Sequence, residues 1–174
     1  MIVSFEEALE QLKAFDVEFK PHADPEGAFA HVGELLGRTP PPALLEFYRA
    51  GIVRIEDFRA FVPRWNAYRG WRPEDDFMAS LLCADAVPLF SDGCGSVYGL
   101  DVTPGVEEPA VYFFDHETRP PAPDWAAGSS LARFLPLLAQ ADRALDERWR
   151  ARWELAIDPD LERCPRAPAI WDAG

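Results

Sequence analysis

Cations are missing from the middle of this 174-residue chain: between residues 73 and 117 there is no Lys or Arg, against ten acids. Glu74, Asp75, Asp76, Asp85, Asp92, Asp101, Glu107, Glu108, Asp115 and Glu117 make up that run and carry most of the formal charge of −13. So one-sided a segment projects a negative field, which repels phosphate backbones and anionic lipid headgroups and draws in basic proteins. Nucleic acid and membrane surfaces are therefore excluded as expected partners, although the same acidity also serves solubility.

Cysteine is scarce as well. Cys83, Cys94 and Cys164 are odd in number, widely spaced and form no C-x-x-C pair, which excludes a disulfide framework and a zinc site of the usual spacing. A reducing compartment follows. The N-terminal MIVSFEEALEQLK has acids where a secretory signal needs bases, and no window approaches 18 uninterrupted apolar residues. The expected location is cytoplasmic. Neither G-x-G-x-x-G nor G-x-x-x-x-G-K-[ST] occurs, and the lone Gly93-x-Gly95 joins two strand-like runs instead of opening a helix. No cofactor is expected.

What the chain does have is apolar bulk. With 48% hydrophobic residues, including 12 Phe and 6 Trp, it can offset the roughly 1–2 kcal/mol of backbone entropy lost per ordered residue, without metal or disulfide. The length fits one domain over 1–174. Ser4 and Glu7 form a capping box, and Phe5, Ala8, Leu9, Leu12 and Phe15 recur at helical spacing, predicting a helix over residues 5 to 19. Asp24-Pro25 starts a second helix that stops near Gly37, and PPALLEFYRAG a third that ends at Gly51.

Residues 52–63 suit strand and short helix alike, and Trp65 to Asp76 reads as an irregular excursion held by aromatics. AVPLF (86–90), SVYGLDV (96–102) and AVYFFDH (110–116) are β-prone runs separated by turn residues, an antiparallel meander. A last helix starts at Ser129 or Ser130, with Pro136 as a kink point, continues toward Trp153, and gives way to an extended tail from Pro159. Helices before and after a contiguous strand set indicate an α+β fold: N-terminal helices, a mostly antiparallel sheet, and a C-terminal helix packed on it.

The order PPALLEFYRAG, PLFSDGCGSVYGLDV, AVYFFDHE and SLARFLPLL resembles the SUKH superfamily, which includes a yeast cell-wall-synthesis regulator and many bacterial immunity proteins. The likeness covers about residues 35–140, with an N-terminal helical extension and a C-terminal extended tail outside it. Where that family often has Asn-Gly after the proline-led helix, this chain has Arg49-Ala50-Gly51. The resemblance implies a non-catalytic α+β domain that binds and neutralises a cognate protein toxin, such as a basic nuclease-like domain. A regulatory or scaffold protein of the same fold is the alternative.

Charge and resemblance together nominate Glu74, Asp75, Asp76, Asp92, Asp101, Glu107, Glu108, Asp115 and Glu117 as partner-binding residues. Two chemical alternatives use the same region. Cys94, His116 and Asp92 sit at turns flanking neighbouring strands, as a nucleophile, base and orienter would, yet no local catalytic motif supports them. Asp92, Asp101, Asp115 and Glu117 supply carboxylates of the type a hard cation takes, without the spacing of a calcium loop. The expectation is that the protein is not an enzyme and holds no metal. Trp65, Tyr68, Trp71, Trp125, Trp149 and Trp153 are read as core or loop anchors, some of them able to serve as interface hot spots.

Overall fold

The computed structural model describes residues 4–60, 77–140 and 153–167. Helix α1 (Phe5–Leu12) opens on the full capping box: the Ser4 side chain accepts from the Glu7 N–H, and the Glu7 carboxylate accepts from the Ser4 N–H. The helix stops seven residues short of the sequence expectation. Val17–Phe19 is instead an edge strand, β1, pairing antiparallel with β2 (Ile52–Ile55), because Val17 and Phe19 suit a pleated surface and Ile55 and Ile52 lie directly opposite.

Helix α2 (Pro25–Leu36) begins with Asp24 accepting from the Gly27 N–H at 2.9 Å and ends on Gly37 at φ 66°. Helix α3 (Pro42–Ala50) ends on Gly51 at φ 65°. A side chain there would be strained twice over, since a Cβ would also lie 2.5 Å from the Lys20 carbonyl oxygen.

The ambiguous stretch after Gly51 is a hairpin, β2 to β3 (Phe58–Ala60), turned by Glu56 at φ 48°. The excursion expected over Trp65–Asp76 lies outside the described residues, as do Glu74, Asp75 and Asp76. Helix α4 (Phe77–Cys83) follows, then β4 (Ala86–Ser91), β5 (Val97–Asp101), β6 (Val111–Phe114) and β7 (Trp125–Gly128). All seven strands form one antiparallel sheet in chain order. The expected three-strand meander is its centre. Pro88 interrupts β4 at a bulge, where its missing N–H costs the ladder least.

Helix α5 (Leu131–Gln140) continues through Pro136. Of the continuation expected over 142–153, residues 142–152 lie outside the described residues, and a short helix α6 (Trp153–Ile157) takes in Trp153. Over residues 159–167 the expected extended tail is a packed strap: α6 leads to a 3-10 turn, Leu161–Arg163, whose Leu161 is 1% exposed, and residues 168–174 lie outside the described residues.

Alternation along the strands gives the sheet two buried faces. Val111, Leu100, Val87 and Ala127 face a large core closed by Leu12, Val32, Phe47, Tyr48, Phe134 and Leu138, so α1, α2, α3 and α5 cover that side. Tyr112, Phe114, Val97 and Ala126 face a smaller core closed by Phe77, Leu81 and Leu161, with Leu155 and Cys164 packed against it. Each fully buried Phe or Leu contributes about 1.5–3 kcal/mol. This is an α+β arrangement with helices at both ends of the chain. No helix among the described residues is long and apolar enough to cross a membrane.

Candidate functional site: two acidic ends of one sheet

β5 runs four residue steps from Val97 to Asp101, about 14 Å at strand rise. Its length separates the acids nominated from sequence into two groups. Asp92, Asp115 and Glu117 lie at the β4–β5 turn and just beyond β6; Asp101, Glu107 and Glu108 lie at the opposite end, in and beside the β5–β6 loop.

At the first end the carboxylates shape the backbone. Asp92 Oδ1 accepts from the N–H groups of Cys94 and Ser96 at 2.8 and 3.1 Å. Asp115 Oδ1 accepts from the Glu117 N–H at 2.9 Å, and Asp124 Oδ2 accepts from the Asp115 N–H at 2.8 Å. Ser96 Oγ lies 3.1 Å from His116 Nδ1, and Asp115 Oδ1 lies 3.6 Å from the same nitrogen. A proton relay needs its hydroxyl and carboxylate on opposite ring nitrogens. Here both approach Nδ1, so the cluster ties the turn to the end of β6. Gly95, at φ 109°, lets the imidazole come close, since a Cβ there would meet the ring at 3.3 Å. Cys94 is exposed on the turn, and its contact within this cluster is the N–H bond to Asp92. Glu117 is exposed, and among the described residues only its backbone is engaged.

At the second end Asp101 departs from its expected role. It is 2% exposed, accepts from Thr103 N–H and Oγ1, and pairs with the Arg166 guanidinium at 2.9 Å. Arg166 also donates to the Ala84 carbonyl at 2.7 Å and lies over the Tyr112 ring, while the Tyr112 hydroxyl accepts its N–H at 3.3 Å. Asp101 thus anchors the C-terminal strap from inside the fold. The charge it would have offered a partner is spent on Arg166. Asp85 is likewise taken, by Arg38, which also donates to the Val102 carbonyl.

Glu107 and Glu108 stay exposed beside the buried Pro109. They line a cleft of about 420 Å³ with Glu46 from α3, Phe5 from α1, Ser130, Leu131, Ala132 and Arg133 from the start of α5, and Asp160 from the strap. Arg133, whose side chain is 8% exposed, donates to the Ile157 carbonyl at 3.1 Å and lies 3.8 Å from both Asp158 and Asp160. Its charge answers the fully buried Asp158, which accepts from Ser129 N–H and Oγ. Among the described residues the side chains of Glu46, Glu107 and Glu108 take no ion pair or hydrogen bond. With four carboxylates against the Arg133 guanidinium, the cleft presents net negative charge beside its apolar wall residues.

Glu46 and Asp160 were not nominated from sequence. Glu46 is the exposed position between Leu44 and Phe47 on an amphipathic helix, and Asp160 lies in what read as a tail. Only the packing of α1, α3, α5 and the strap around the β5–β6 loop brings them beside Glu107 and Glu108. The metal alternative loses its geometry, because Asp101 lies across the sheet from Asp92, Asp115 and Glu117. Among the described residues no three His, Cys, Asp or Glu side chains converge as a ligand set.

Compared with known families, curated proteins and solved structures, the chain has no match in any of the three.

Proposed function

We propose that this protein is a non-catalytic binding protein that captures a basic protein partner through the exposed acids of its β-sheet ends. The observation that carries the reading is the state of those acids. Glu107, Glu108 and Glu117 are exposed and, among the described residues, their carboxylates are committed to no internal cation or hydrogen bond. Exposed charges left uncompensated raise association rates with an oppositely charged partner and make them salt-sensitive. The likeness of the motif order to the SUKH superfamily gives the reading its biological form: an immunity protein that holds a basic toxin domain inactive inside the cell that makes it.

The test is binding to the protein products encoded next to this one in its genome, measured by titration calorimetry in low and high salt. A basic neighbour is expected to bind, with affinity falling as salt rises, and Glu107→Lys/Glu108→Lys/Glu117→Lys is expected to weaken it by at least about tenfold. Affinity indifferent to both salt and charge reversal rules the proposal out.

A further inference from the structure

The cleft at the second sheet end has a chemistry more specific than general acidity. Phe5, Ala43, Pro109, Leu131 and Ala132 supply apolar wall beside Ser130 and Arg133, whose charge lies 3.8 Å from Asp158 and Asp160. Its acids come from three separate elements, Glu46 from α3, Glu107 and Glu108 from the β5–β6 loop, and Asp160 from the strap. Asp160 already shares Arg133 and Arg163, the latter at 2.9 Å. The other three carboxylates have no cation among the described residues.

An apolar slot with a carboxylate rim matches one kind of side chain, a long aliphatic stem ending in a cation. Lys and Arg lay their methylenes along apolar surface while the charged head reaches outward to polar groups. Neutral apolar side chains would leave the rim charges unanswered, and acidic ones would be repelled. Resting on the function proposed above, we infer that this cleft is the anchor pocket of the partner interface, receiving a Lys or Arg side chain from a basic protein segment. The stem lies against Phe5, Pro109 and Leu131, and the head lies between Glu46 and the Glu107–Glu108 pair.

The experiment titrates the full-length, isotopically labelled protein with acetyl-Leu-Lys-Leu-Lys-amide, following backbone amides by NMR. The Gln analogue, acetyl-Leu-Gln-Leu-Gln-amide, is the neutral control. Shifts are expected at Glu107, Glu108 and Ala110 and over Ser130–Arg133 with the lysine peptide, and not with the Gln peptide. Glu107→Gln/Glu108→Gln is expected to weaken binding about tenfold, because it removes two of the three carboxylates that face the cation. Glu18→Gln/Asp57→Asn, which removes two acids from the β1–β3 side of the sheet, is expected to leave it unchanged.

Equal binding of the two peptides, shifts confined to other surfaces, or no shifts at all overturn the inference. A basic protein that binds elsewhere while the cleft stays silent removes the inference and leaves the proposed function standing. A lysine peptide that fills the cleft in a chain with no basic protein partner does the reverse.

Discussion

Asp158 shows how much of this fold hangs on single polar residues. It is fully buried, and Ser129 donates to it from both N–H and Oγ, at 2.5 and 2.6 Å, where β7 turns into α5. Arg133 supplies the countercharge at 3.8 Å. Replacing Asp158 with Asn keeps the volume but removes the negative charge that accepts from Ser129 and lies 3.8 Å from the nearly buried Arg133, which Asp160 faces at the same distance. Breaking a buried pair by changing one partner costs roughly 3–5 kcal/mol, so Asp158→Asn should lower the unfolding free energy by about 3 kcal/mol. Ser129→Ala removes one hydroxyl bond to the carboxylate but keeps its charge and the backbone N–H bond, and should cost less, about 1.5 kcal/mol. Urea denaturation of the two variants checks the ranking; equal losses would mean that the charge of Asp158 is unimportant. Asp158 carries no local motif, and its importance became visible only once the strap was seen to fold back on β7.

At the scale of elements, the sequence was readable where the chain makes its own stops. Ser4 with Glu7, Asp24-Pro25, Gly37 and Gly51 set helix starts and ends through local hydrogen bonds and backbone preference, and α1, α2 and α3 start or stop where those residues stand. The elements that were missed depend on partners far along the chain. β7 is Trp-Ala-Ala-Gly, poor in β-formers, and it is a strand because Ala126 and Ala127 fit opposite cores while Gly128 lets α5 approach. A Cβ on Gly128 would lie 2.5–3.0 Å from Phe134 atoms, including its backbone. The strap likewise looks like a proline-rich tail until Leu161 and Cys164 meet the second face of the sheet.

That face makes a testable statement about pH. Burial pushes the Cys164 thiol from 9.0 to about 12 and the Tyr112 hydroxyl from 10.0 to about 12. Both groups stay neutral when folded and ionise more readily when unfolded, so the stability tied to them is complete below their ordinary values and is lost as pH rises toward 12. Urea midpoints should therefore fall from about pH 9 upward. Cys164→Ala should flatten the start of the decline and Tyr112→Phe its later part. A slope unchanged in Cys164→Ala would place the alkaline sensitivity elsewhere.

For the whole molecule, the fold class was legible because helices flank a contiguous run of strands, whereas the candidate site was legible only in its chemistry. Acid content nominated Glu107, Glu108 and Glu117, which are exposed, on the same footing as Asp101, which is buried against Arg166. Nor could it join Glu46 and Asp160 to them, since that requires the tertiary packing of four elements. The net charge of −13 then acts in two directions. Within the chain, unpaired acids repel one another, and salt relieves that repulsion as the Debye length falls from about 30 Å at 0.01 M to about 8 Å at 0.15 M. Across the proposed interface the same salt weakens attraction to a basic partner. Raising sodium chloride over that range should therefore raise the melting temperature of the free protein while lowering its affinity for the proposed basic partner. Scanning calorimetry and binding titrations in matched buffers read both. If salt lowers the melting temperature instead, the internal pairs Asp16–Arg54, Glu26–Arg49 and Asp101–Arg166 outweigh self-repulsion, and the acidic surface is better balanced than its formal charge implies.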